Sequence, residues 1–211
     1  MNKLPAVLED ITKEVRLKHY PKGQIIFYQG DTPDDVAILS DGYVKVYDID
    51  DQGNEKILHI VNIGALVPFS FFSGGHRSIQ WFYSALTDCD VYIISMKRLE
   101  QEFKNNNELA FFMMNWFSLE VHELLIRLSS LGKSNAKMKV CAALTFLMTH
   151  NAKSRPSGWR RVNFPVNHQL LADMTGVTRE SVATIMKDLT NRKYVRNPRQ
   201  TILEINEQKF S

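Results

Sequence analysis

Polar and apolar positions along the first hundred residues fall into short runs separated by turn residues. Residues 23–28 (GQIIFY) stop at Gly30-Asp31, residues 36–39 (VAIL) stop at Asp41-Gly42, and residues 43–47 (YVKVY) alternate as a half-buried strand does. The turn DDQGN at 50–54, in which Gly53 can take a positive φ, leads back into residues 56–61 (KILHIV). Further strands are predicted around 78–86 and 90–95, and residues 8–16 read as an opening helix. Short strands at regular spacing predict an antiparallel sandwich or roll.

Near Asn107 the period lengthens from that of a strand to that of a helix. Met114, Phe117, Val121, Leu124, Leu128 and Leu131 recur at steps of three and four, the a/d stripe that seams two helices together. Phe112, Trp116, Leu119 and Ile126 form a second stripe, so a helix over 107–131 has two apolar faces to bury. One is expected to pack on the strand domain and the other on a second copy of the chain. Gly132 suits the end of that helix, Ser134 or Asn135 the N-cap of the next, and 136–148 is again helical. Residues 151–158 read as a loop and 159–165 as a short strand.

Composition narrows the possibilities. Hydrophobic residues make up 44% of the 211 positions and charged residues 23%, which excludes a disordered or collagen-like chain. Cys89 and Cys141 are too few for a disulfide framework, a zinc ribbon or a four-cysteine iron–sulfur cluster, and reduced buried thiols are expected. No uninterrupted apolar run reaches about 18 residues, and the start MNKLPAVLEDITKEV puts acids where a signal peptide needs an apolar core. A cytoplasmic protein with no membrane partner is expected. No P-loop, H-E-x-x-H, G-x-S-x-G or paired cysteines occur, so neither an enzyme nor a bound metal is expected.

Charge separates the two ends of the chain. Residues 1–132 hold 12 Lys or Arg against 18 Asp or Glu, whereas residues 133–211 hold 14 against 5. A basic region behind an acidic one points to a polyanion, most often nucleic acid, or else to a solvated basic face.

Residues 167–189 have the layout of a helix-turn-helix. Asn167 can cap a first helix whose Leu170, Leu171 and Met174 face inward, with small Ala172 allowing a close crossing. Gly176 supplies the turn and Thr178 the second cap. The second helix keeps Val182, Ile185, Met186 and Leu189 inside and leaves Arg179, Glu180, Ala183, Thr184 and Lys187 outside. Such outward N-terminal residues meet base edges in the major groove, Arg matching guanine O6 and N7, and Glu accepting from the cytosine amino group. The segment 194–205 reads as a turn between two strands, a wing that would bring Arg199 near phosphate.

These motifs together resemble the cAMP receptor protein and fumarate-nitrate reductase regulator (Crp/Fnr) family of bacterial transcription factors, over nearly the whole length. They are the strand with its glycines at 23–31, Asp41-Gly42-Tyr43-Val44, the long helix, and above all Thr178-Arg179-Glu180-Ser181-Val182. The resemblance implies an α+β fold: an antiparallel β-roll of cyclic-nucleotide-binding type (1–106), a dimerisation helix (107–132) and a winged helix-turn-helix (133–211). It implies a homodimer held by the stripe from Met114 to Leu131, with double-stranded DNA and RNA polymerase as partners. Arg179, Glu180, Thr184, Thr178, Ser181, Lys187, Gln169, His168 and Arg199 would contact DNA.

The effector site departs from the family. Its cAMP-binding members carry a Gly-Glu pair for the sugar and an Arg-Ser pair for the phosphate; Arg77-Ser78 matches the second, but Pro68-Phe69 stands at the first. Val121 and His122 stand where those members carry a polar pair that reads adenine. A sequence-specific regulator that does not answer to cAMP, with an unidentified small effector or none, is therefore expected. The alternatives are a ligand-sensing module acting through protein partners and a true cyclic-nucleotide-responsive regulator. Among family members with a TGTGA-like half-site, a second Arg stands where this chain has Thr184.

Overall fold

The computed structural model describes residues 4–69, 78–155, 158–199 and 202–210. Contacts divide the chain into two units, one made of 1–49 and 57–120, the other of 50–56 and 121–211.

In the first unit α1 (Ala6–Thr12) precedes eight strands: β1 (Arg16–Tyr20), β2 (Ile25–Phe27), β3 (Asp35–Asp41), β4 (Val44–Ile49), β5 (Glu55–Val61), β6 (Leu66–Val67), β7 (Phe82–Ala85) and β8 (Cys89–Ser95). They form two four-stranded sheets, ordered β1-β8-β3-β6 and β2-β7-β4-β5, in which β8 pairs antiparallel with β1 and β3, β6 with β3, and β7 with β2 and β4, as the regular strand spacing predicts. One cluster of buried side chains, including Leu39, Val44, Val46, Val67, Tyr83 and Val91, fills the space between them. A second, with Leu8, Ile38, Leu66, Leu99, Leu109 and Met113, binds α1, α2 (Met96–Asn105) and the start of α3 (Asn107–Leu131) to the other side of the first sheet.

Local chemistry explains where the sequence reading departs. The opening helix ends at Thr12 rather than at 16, because Glu14 takes φ +66° and turns the chain into β1. Only Tyr20 of β1 is buried, so that edge strand has no alternating pattern to read. In the mostly polar α2, Met96 and Leu99 are buried, and its cap is Ser95, whose hydroxyl accepts from the Arg98 N–H.

α3 occupies the residues that the change of period marks, but its inward face is not the second apolar stripe. Phe112 and Trp116 pack against the core, whereas Leu119 and Ile126 are exposed. The inward positions are instead Leu109, Met113, Trp116, Glu120, Glu123, Arg127 and Ser130, a heptad spacing whose second half is polar. Glu120 Oε2 lies 2.6 Å from His59 Nε2 on β5, and Glu123 Oε1 lies 2.9 Å from His150 Nδ1. Among the described residues α3 is the one helix long and apolar enough, by length and composition, to cross a membrane. No single unbroken run reveals this.

The second unit holds α4 (Ala136–His150), β9 (Ala152–Ser154), β10 (Trp159–Val162), α5 (His168–Thr175), α6 (Arg179–Asn191), β11 (Val195–Arg199), β12 (Ile202–Asn206) and α7 (Glu207–Phe210). Asn135 caps α4, its side chain accepting from the Met138 N–H at 2.9 Å. The sheet order is β11-β12-β10-β9. β9 lies where a loop is expected; its three residues are half-buried or exposed and gain strand character only by pairing with β10.

Buried Arg127 joins α3 to the end of α5. Its Nη2 donates to the Met174 carbonyl at 2.8 Å and its guanidinium lies 5.7 Å from the Phe146 ring centre. Burial pulls its pKa down to about 10.

Candidate nucleic-acid interface

Two capped helices and a left-handed turn build the site. Asn167 Oδ1 accepts from the Leu170 N–H at 2.8 Å, starting α5. Gly176 at φ +67° ends it, its N–H donating to the Ala172 carbonyl at 2.8 Å. Thr178 Oγ1 accepts from the Ser181 N–H and donates to Ser181 Oγ at 2.9 Å, starting α6. Leu170, Leu171 and Met174 are buried on α5, as are Val182, Met186 and Leu189 on α6, with Ile185 half-buried beside them. Arg179, Glu180, Ser181, Thr184 and Lys187 are exposed, while Ala183 is half-buried and less outward than its spacing implies.

The remaining candidates gather around this face. His168, Gln169 and Arg179 line one groove together with Asn167 and Asn197 of β11. Gln169 Nε2 is held by Asp173 Oδ1 at 2.7 Å. The backbone of Arg199 lies in β11, opposite Ile202, and its side chain lies outside the described residues. A shallower groove is lined by Glu180, Ser181 and Thr184 together with Asn135, Ala136 and Lys137 of the α4 N-terminus. Helical spacing does not reveal that flank; its signal in the sequence is the Ser134-Asn135 break followed by Lys137.

Charge pairing sorts the basic residues of this unit. Glu204, with a side chain 3% exposed, lies opposite both Arg161 and Arg196 in the sheet and takes Nε–H bonds from them at 2.8 and 2.7 Å. Burial raises the Glu204 carboxyl, but these two guanidinium partners outweigh it and hold the group below the usual glutamate range. Arg196 also lies 4.2 Å over the Trp159 ring. Glu207 holds Arg160, and Asp188 holds Lys137 and Arg192. Among the described residues Arg179 and Lys187 join no such ion pair.

In the first unit the candidate effector residues are only partly described. Pro68 is buried, and the half-buried Phe69 ring lies 5.9 Å from Tyr83, 6.1 Å from Trp116 and 6.4 Å from His59. The Phe69 N–H donates to Tyr83 Oη at 3.1 Å, and burial pushes the Tyr83 hydroxyl up to about 12. Ser78 takes a bond from Gln80 Nε2 at 3.2 Å. Arg77 lies outside the described residues. Of the stripe expected to seam a dimer, Met114, Val121, Leu124, Leu128 and Leu131 are exposed, Leu128 by 67%, while Phe117 is half-buried against Trp116 and the core. Cys89 is buried as expected, whereas Cys141 is only half-buried; burial raises both thiols.

Residues 17–106 match the family model for a cyclic nucleotide-binding domain and residues 138–209 that for a Crp-like helix-turn-helix domain. The chain is 25% identical to the nitrogen fixation regulation protein FixK of Rhizobium meliloti, the match covering 83% of this chain and 76% of that one. It is 22% identical to the cAMP-activated global transcriptional regulator CRP of Salmonella typhimurium, over 93% and 92%. In fold it is similar to a cyclic nucleotide-binding domain containing protein from Listeria monocytogenes, with a TM-score of 0.82 at 14% identity over 97% and 100%. The FixK and CRP relatives are regulators rather than enzymes. With both domain types in this order, the chain belongs to the Crp/Fnr family of transcription regulators and carries that family's helix-turn-helix DNA-binding domain.

Proposed function

We propose that the protein is a homodimeric, sequence-specific regulator whose α6 enters the major groove of double-stranded DNA. The observation that carries this reading is the exposed face of a helix capped by Thr178, on which Arg179, Glu180 and Lys187 stand outside the ion pairs that occupy the neighbouring arginines among the described residues. Arg179 and Glu180 read guanine and cytosine. His168, Gln169, Lys187 and Arg199 hold phosphate, and Thr178 and Ser181 fix the start of the helix. Binding selection from genomic fragments tests it. Arg179→Ala is expected to cost about 1–3 kcal/mol and to relax one position of each half-site. Lys187→Ala weakens all sequences alike and flattens the salt dependence. Equal weakening of every site by Arg179→Ala contradicts the base-reading role.

The exposed stripe of α3 supports a second copy of the chain as its cover. Glu120, Glu123 and Arg127 leave a bilayer a poor alternative, because burying charge in lipid is costly. Membership of the family supports binding to RNA polymerase and action in the cytoplasm. For the effector, Phe69 and Pro68 offer the sugar of a cyclic nucleotide no side-chain acceptor, and the Phe69 ring packs among Tyr83, Trp116 and His59. A polar sugar hydroxyl left unpaired there costs about 1–3 kcal/mol, so neither cAMP nor cGMP fits as effector, and a smaller or more apolar molecule, or none, does. Calorimetry is expected to find no binding of either nucleotide at micromolar concentration, and a low-micromolar dissociation constant lost in Arg77→Ala would overturn this.

A further inference from the structure

The hydroxyls of Thr178 and Thr184, both exposed, are engaged by groups of α6 itself. Thr178 Oγ1 serves the cap and donates to Ser181 Oγ, and Thr184 Oγ1 donates to the Glu180 carbonyl at 3.0 Å. Thr184 therefore has no hydroxyl hydrogen left for a base. It is nevertheless exposed, one turn beyond Glu180 on the same face, in a groove whose other members include Ala136 and Ile185. With that hydroxyl spent on the helix backbone, the group the side chain has left to offer a base is its methyl.

We infer that Thr184 is a specificity residue that recognises thymine, its methyl packing on the thymine C5-methyl in the major groove. The inference rests on α6 being the base-reading helix. Three physical points support it. The C5-methyl marks thymine in the major groove, and the threonine methyl is one of the apolar groups that meet it. Arg179 and Glu180 already account for the charged, hydrogen-bonding readout, and a contact one turn further along meets a different base pair. A hydroxyl bonded to the helix backbone also fixes the side-chain rotamer, so little freedom is lost when the methyl is covered.

The test is binding selection from randomised duplexes with the full chain, wild type and Thr184→Arg in parallel. The base pair facing Thr184 is the one whose preference changes between them. Thymine is expected there for the wild type and guanine for Thr184→Arg. Replacing that thymine by deoxyuridine, which lacks only the methyl, should weaken wild-type binding about fourfold, the equivalent of ~0.8 kcal/mol. Thr184→Val should keep the loss, whereas Thr184→Ser should bind thymine and uracil duplexes within about twofold of each other. Equal wild-type affinity for thymine and uracil, or selection of another base at that position, overturns the inference while leaving α6 as the reading helix. Failure to select any sequence overturns the reading helix and the inference together.

Discussion

Gly42 follows β3 at φ +91°, and a Cβ there would lie 2.3 Å from the Asp88 carbonyl oxygen and 2.8 Å from Cys89 Sγ. Neither the backbone angle nor the space admits a side chain. Gly42→Ala is expected to destabilise the protein by more than about 2 kcal/mol in urea titration. Gly176 is the opposite case: its φ is also positive, but nothing lies within 4 Å of a Cβ, so Gly176→Ala should cost only about 1 kcal/mol. Glu204 is constrained by charge. Its carboxyl titrates below the ordinary range in the folded chain, so its contribution to stability is full above the unfolded pKa of about 4.3 and is lost as pH falls through the lower folded value. Arg161 and Arg196 are themselves partly exposed, which limits the gain. Glu204→Gln should lower stability at pH 7 by about 1–2 kcal/mol and reduce its fall between about pH 5 and 3. Thermal melts across that range check both the size and the pH window.

Elements were legible in the sequence where local chemistry sets them. Asn167, Gly176 and Thr178 act on atoms within four residues, so both helices of the turn could be read from spacing alone. β1 and β9 could not, because pairing with β8 and β10, not their own alternation, makes them strands. The same distinction explains α3. Apolar periodicity finds its exposed stripe, whereas its inward face passes from Leu109, Met113 and Trp116 to Glu120, Glu123, Arg127 and Ser130 and becomes invisible to a search for hydrophobic spacing. Those polar residues matter through their partners, which are distant in sequence: His59, His150 and the Met174 carbonyl. The flank contributed by Asn135 and Lys137 was missed for the same reason. Arg127→Ala withdraws a buried donor from the end of α5 and removes the guanidinium beside Phe146. A loss of about 2–4 kcal/mol is expected, with faster hydrogen exchange concentrated in α5 and the end of α3. Unchanged exchange in α5 would contradict that role.

At the scale of the whole molecule, the polar inner face of α3 leaves most of its apolar surface unused by its own chain. Met114, Val121, Leu124, Leu128 and Leu131 follow one seam, and Leu119, Leu125 and Ile126 add exposed area beside it. Surface of that kind is costly in water unless another surface covers it. A seam at heptad spacing fits a second α3, since identical helices can interleave the same positions about a twofold axis. Phe117, half-buried against Trp116, contributes less to it than its spacing alone would give. On the proposed reading pairing also answers a need of the DNA-binding unit: one α6 would make few base contacts, and a second tethered copy would raise overall affinity by roughly 10²–10⁴ without any new kind of contact. Replacing both Leu124 and Leu128 by Glu places four carboxylates in the paired seam and none against the chain's own core, since both side chains are exposed in the single chain. Sedimentation is therefore expected to show folded monomers, with unchanged circular dichroism and binding to a two-half-site duplex weakened at least a hundredfold. A dimer that survives the double substitution would assign the cover of α3 to something other than its twin.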